Sequence, residues 1–180
     1  MFTDPARPQP VRRLLALLAC LWLASQAAAE EPLQALDCGD PFANGVGPYD
    51  YTNALDRAKH IVTVEQYHFN ADVQALRGGQ TSAYIMTDLD YVLRAVPNHH
   101  QALAALARYA SQRLPQEGDF MPTECYFLRA VIFKPDDPVV RAAYGVFLTQ
   151  AGRADDAEKQ FLEAIRIDDS YAEAHYNLGL

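Results

Sequence analysis

Between Pro138 and Leu180 the chain repeats itself. Tyr144-Gly145 returns 34 positions later as Leu178-Gly179, and Gly152, Ala157, Phe161 and Ala164 stand between them at helical spacing. A period of this length belongs to architectures in which each unit cannot bury its apolar face alone and must stack on its neighbours. The spacing predicts a first helix over Val140 to Ala151, a turn at Gly152-Arg153, and a second helix over Asp155 to Ile167. Within that second helix Ala157, Phe161 and Ala164 follow i, i+4, i+7 and form one apolar stripe. Asp168-Asp169-Ser170 breaks it, and Tyr171 to Gly179 starts another first helix.

These residues resemble the tetratricopeptide repeat family. Gly145, Leu148, Gly152, Ala157, Phe161 and Ala164, with Tyr176-Asn177-Leu178-Gly179 in the next repeat, stand where that family's pattern places them. Asp169 departs from it, because the family has proline there, and the turn rests on Asx chemistry instead. Upstream, Ala130 to Asp136 reads as the end of an earlier second helix, with Pro135 closing it. Its first helix is His100 to Arg113, where Leu103, Leu106, Ala107 and Ala110 share a face, and Leu114 to Pro122 makes a longer connection than the family's turn. Leu89 to Asn98 suggests a still earlier closing helix, so the likeness covers Asp88 to Leu180. The resemblance implies an all-α fold, a short right-handed solenoid of helix pairs. The chain divides into a leader (1–29), a loop-rich N-terminal cap (30–80) and repeats (81–180), clearest over 137–170 and incomplete over 171–180.

Gly47-Pro48-Tyr49-Asp50-Tyr51, Tyr67-His68-Phe69, Leu89-Asp90-Tyr91 and Pro97-Asn98-His99-His100 also resemble exported bacterial tetratricopeptide proteins of unassigned function. That likeness implies a location more than a mechanism. The N-terminus agrees with it: Arg12-Arg13 precede an apolar run, Leu14 to Ala24, too short to span a bilayer, and Ala27-Ala28-Ala29 come after it as small residues. A secretory signal peptide is the expectation, and the periplasm the destination. Two alternatives are a buried helix and lipidation at Cys20, since Leu17-Leu18-Ala19-Cys20 loosely matches a lipobox; Leu21-Trp22-Leu23 continuing beyond the cysteine argues against the latter. The formal charge of −8 becomes more negative once the leader is removed, because that segment holds Arg7, Arg12 and Arg13 against Asp4. So acidic a chain, with no basic stripe, has no means of releasing phosphate counterions, and nucleic acid is excluded as a partner.

Without the leader, Cys38 and Cys125 form an even pair in an exported chain, and a disulfide is predicted. It would close a loop worth roughly 4 to 5 kcal/mol by chain entropy and staple the N-terminal segment onto the repeats; the alternative is two free thiols. Asp37 to Tyr51 mixes Gly, Pro and Asn with aromatics, the composition of an ordered loop. Leu55 to Tyr67 reads as a helix with Leu55, Ala58, Ile61 and Val62 near its core face, and Asn70 to Arg77 as a short one stopped by Gly78-Gly79. Capping the solenoid end is the role expected of residues 30–80.

Candidate chemistry is sparse. His99-His100 are adjacent at a helix start and do not face each other, so capping and solvated turn contacts are expected in place of shared metal ligation. Glu65 and His68, at i, i+3, do share a face, and His60 lies about two turns before His68. Asp88 and Asp90 read as helix N-terminal charges. There is no G-x-S-x-G elbow, P-loop, dinucleotide fingerprint or C-x-x-C. A Cys125 nucleophile would require the disulfide to be absent. No catalytic residue and no cofactor is expected.

In the tetratricopeptide family first helices line the concave groove. That resemblance points to Gln101, Ala104, Arg108 and Gln112, then Val139, Ala142, Val146 and Gln150, then Glu173 and Tyr176. Ala104, Ala105, Ala142 and Ala143 occupy places where some members clamp a C-terminal carboxylate, and only Asn177 fits, so a clamp is disfavoured. The expected ligand is a peptide segment held by apolar contacts with Arg108 as cationic anchor; the alternative is that the alanines merely let helices pack. The last helix, Tyr171 to Leu180, lacks its second helix. Terminal capping, self-association and an incomplete reading frame all account for that, and incompleteness is preferred. The resulting expectation is a non-enzymatic protein-interaction adaptor of the cell envelope. The alternative is a small envelope enzyme or metal-binding protein with its site near Glu65 and His68.

Overall fold

Each helix pair begins where a side chain satisfies free backbone amides. The Asp137 carboxylate accepts from the amides of Val139 and Val140, and Pro138 takes the first helical position, where its missing N–H costs nothing. Asn53 and Asn70 cap in the same way. The structure, a computed structural model, describes residues 36–112 and 118–179. The helices are α1 (Ala54–Asp56), α2 (Val62–His68), α3 (Ala71–Gln74), α4 (Ile85–Ala95), α5 (His100–Ser111), α6 (Thr123–Phe133), α7 (Pro138–Gln150), α8 (Ala154–Ile167) and α9 (Ala172–Leu178). A π-helical turn, Arg57–Ile61, joins α1 to α2. There is no strand among the described residues, and none of these helices is long and apolar enough to cross a membrane.

The predicted stacking is present. First helices α5 and α7 pack against each other, α7 meets α9, and second helix α8 lies against α7 along its length. Gly145 makes room for α8 against α7. A methyl group there would sit 2.6 Å from the ring of Phe161, which is 3% exposed. Leu103, Leu106, Tyr126, Phe127, Val140, Leu148 and Ala164 complete one continuous buried core with Leu89, Val92 and Leu93 of α4.

Upstream, α2 packs on α4 and so adds another helix pair, joined by a connection that contains α3. The boundary expected at residue 80 runs through that connection, and Asp37–Leu180 forms one unit. The other unit, Met1–Leu36, holds the leader and Cys20, which lie outside the described residues. Of the core face expected for the 55–67 helix, Ile61 is buried, while Leu55 is 59% and Val62 51% exposed and Ala58 faces solvent. The π turn explains the difference. One extra residue in a turn rotates the helix before it by about 100° relative to the helix after it, so Val64 takes the place beside Ile61.

The N-terminal loop is fastened to the second helices of the stack, and Tyr49 also stacks on His60 of the π turn. Cys38 is disulfide-bonded to Cys125 of α6, its carbonyl oxygen accepts from Arg129 Nη1 at 3.1 Å, and Phe42 lies on Phe133 at 5.5 Å. The Tyr49 amide then donates to the Ala95 carbonyl at 2.8 Å. The loop therefore runs along the second helices α6 and α4. Gly47, at φ +79°, lets it approach Ala95 because any side chain would strike that carbonyl.

Candidate groove between the first helices

Residues four and three apart on α5 and α7 point the same way, and the packed pair encloses a cleft of about 210 Å³. From α5 it is lined by His100, Ala104, Ala107 and Arg108, and from α7 by Val139, Ala143 and Val146; Tyr171 and Glu173 close it. The floor is alanine and valine, so the space exists because the side chains are small. The ends are polar and held in place. His100 Nε2 donates to Asp137 Oδ2 at 2.7 Å, and that carboxylate also caps α7. The Tyr171 hydroxyl donates to Glu173 Oε2 at 2.8 Å, and burial together with that bond raises its pKa above the ordinary tyrosine value.

Of the residues expected on this face, Ala104, Arg108, Val139, Val146 and Glu173 line the cleft. Gln101 and Gln112 are exposed outside it, and Tyr176 is 82% exposed without lining it. Gln150 borders a separate hollow of about 100 Å³ beside Phe147 and Ser111. Ala142 is corrected outright: it is 1% exposed and belongs to the core. A step of three residues falls about 60° short of a full turn, which swings Ala142 from Val139 onto the buried arc, whereas Ala143 stays on the open face. His100, Ala107, Ala143 and Tyr171 were missed, although His100, Ala104 and Ala107 form an i, i+4, i+7 stripe legible in the sequence. Arg108 is not a free anchor, because its Nη2 donates to the Gln74 carbonyl at 2.8 Å and ties α5 to α3.

The alternative site near Glu65 and His68 is not assembled. Glu65 Oε1 accepts from His99 Nε2 at 3.1 Å, His68 Nδ1 donates to Asp88 Oδ1 at 3.0 Å, and the His60 ring stacks on Tyr49. No group of three or more His, Cys, Asp or Glu placed to hold a metal ion occurs among the described residues. His99 caps α5 as expected, but it is wholly buried where solvated contacts were expected. Its Nδ1 accepts from the Ala102 amide, so the ring proton sits on Nε2 and points at Glu65. Burial holds its pKa below the usual 6.5, outweighing the Glu65 carboxylate, while the hydrogen bond from His99 pulls Glu65 below its own usual value. Asp88 stands in the first turn of α4, as expected of a helix N-terminal charge, but it is fully buried and accepts from the Gln80 amide at 2.6 Å, the Thr81 amide at 3.1 Å and the Thr81 hydroxyl at 2.7 Å. Asp90 pairs with Arg94 and accepts from the Tyr126 hydroxyl.

Comparison with known proteins adds one partial likeness. Over 64 residues the chain is 35% identical to the TPR repeat-containing thioredoxin TTL4 of Arabidopsis thaliana. The matched stretch is 36% of this chain and spans only 9% of that protein's length. No family model and no solved structure matches. With the helix pairing above, the likeness supports tetratricopeptide-like helical repeats.

Proposed function

We propose that this protein is a non-enzymatic adaptor that holds a peptide segment or a partner protein in the cleft between α5, α7 and the start of α9. The observation that carries this reading is the cleft itself, an apolar floor of small side chains flanked by fixed polar groups. Such a floor accepts a bulky apolar side chain from a partner, and the polar ends bond its backbone. We place the activity in the cell envelope, outside the cytoplasm. The supports are the charged and apolar pattern of residues 12–29 and the bonded Cys38–Cys125 pair, which persists in oxidising compartments.

A photo-crosslinking residue at Ala143 should capture a partner in the native envelope fraction that the same residue at Leu162, exposed on α8, does not. Val146→Asp should abolish the capture, with a cooperative thermal melt showing that the variant remains folded. It is a cleaner probe than Arg108→Glu, which also breaks the bond to Gln74. Equal capture from both positions, or capture that persists in Val146→Asp, overturns the proposal.

A further inference from the structure

We propose that a second hollow, bounded by the N-terminal loop, the π turn, α2 and α4, binds a small aromatic carboxylate: a single planar ring carrying one acidic group. The hollow has a volume of about 270 Å³, at the lower end of small-molecule sites and suited to one ring.

Two flat walls line it. The Tyr49 ring stacks on His60 at 4.4 Å with 3° between planes, and the Tyr91 ring on His68 at 3.8 Å with 20°. Each wall is anchored from behind, Tyr49 through its amide to Ala95 and His68 through Nδ1 to the buried Asp88. Their orientation is thus set before any ligand arrives, which lowers the ordering cost of binding. Tyr67, also in the lining, is 58% exposed and Tyr91 36% exposed, leaving contiguous aromatic surface in water. A planar ring covers such surface with favourable offset or edge contacts.

The charge of the hollow selects the ligand's second part. Lys59 lines it and no Asp or Glu does. Lys134 and Lys159 are paired with carboxylates, whereas Lys59 makes no ion pair among the described residues, in a chain of net charge −8. An uncommitted ammonium beside aromatic walls fits a carboxylate as a point charge. The lining offers no Asn, Gln, Asp, Glu or Arg side chain to grip the adjacent hydroxyls of a sugar. Lys59 and His60 both belong to the π turn, a wide turn frequent at functional sites. This site is separate from the first-helix cleft, and its occupancy does not depend on the adaptor reading.

The test is a titration of nitrogen-15-labelled protein with phenylacetate, with 2-phenylethanol as the neutral analogue and cyclohexylacetate as the non-planar acid. Phenylacetate should give saturable shifts confined to residues 46–49, 59–68 and 91, with affinity at least about tenfold above either control. Lys59→Gln should reduce phenylacetate affinity to that of the alcohol and leave the alcohol unchanged, while Tyr67→Ala should weaken both. Both positions are exposed, so the variants keep the fold. Absence of saturable shifts in the hollow, equal affinity for acid and alcohol or for planar and non-planar acid, or full phenylacetate affinity in Lys59→Gln overturns the inference.

Discussion

His99 and Glu65, separated by 34 residues in the chain, meet at 3.1 Å, with the histidine ring fully buried and the carboxylate at the edge of solvent. The bond joins the end of one first helix to the cap of the next, because His99 Nδ1 also accepts the Ala102 amide that opens α5. A single neutral imidazole therefore serves a helix terminus and an interhelical contact together.

That arrangement predicts acid sensitivity. The folded-state pKa of His99 is depressed, so in the window below 6.5 the unfolded chain takes up a proton that the folded one refuses. Stability from this site is complete above that pH and falls as pH drops through the window, by at most about 1.4 kcal/mol per pH unit. Glu65, also depressed, loses its contribution in the same direction at lower pH. Urea unfolding at a series of pH values should show the decline, and His99→Gln should flatten it between neutrality and mildly acid pH.

Gly145→Ala should destabilise the fold although alanine is the better helix former. The propensity gain is about 1 kcal/mol, but the new methyl would press on the Phe161 ring, and overpacking a filled core costs about 1 to 3 kcal/mol. Combining it with Phe161→Leu should recover part of the loss relative to the sum of the single changes, a non-additivity readable by thermal melts.

Replacing both Cys38 and Cys125 by serine opens a loop with a sequence separation of 87. The expected loss is roughly 4 to 5 kcal/mol by chain entropy. Hydrogen exchange should locate the first effect in residues 38–48, which the bond holds on α6, while α7 and α8 keep their protection.

Asp88→Asn exchanges a buried acceptor of four hydrogen bonds for an amide that turns donors toward donors. A loss of about 2 to 4 kcal/mol is expected, together with faster exchange of the Gln80 and Thr81 amides. Retention of wild-type stability would mean that the connection from 78 to 82 is held by other contacts.

Helix pairing from α5 to α9 was legible because its signals are local. Asp137-Pro138, Gly152 and the Ala157, Phe161, Ala164 stripe act within one or two turns, and the predicted limits of α5, α7 and α8 fall within two residues of those observed. The Cys38–Cys125 bond was expected only by reading residues 1–29 as a leader, which sets Cys20 aside and leaves these two cysteines. The π turn was not, because its i→i+5 bonds leave no residue pattern, and the apolar face of the first helix was misassigned as a result. The cleft was half legible: the stripe on α5 could be counted, but whether Ala142 or Ala143 faces outward depends on how α7 is rotated against its neighbours.

The amino-acid sequence by itself determined that paired helices stack in a row and where each begins, since caps, turn glycines and apolar periodicity act over a few residues. Only the tertiary structure decided the partners of the polar side chains. Glu65, His68, Asp88 and His99 look alike as titratable residues in a helical chain, yet each finds a partner from another segment. Those partners are dictated by helix rotation and the path of a connecting loop, which are set by packing of the whole core and by no local rule.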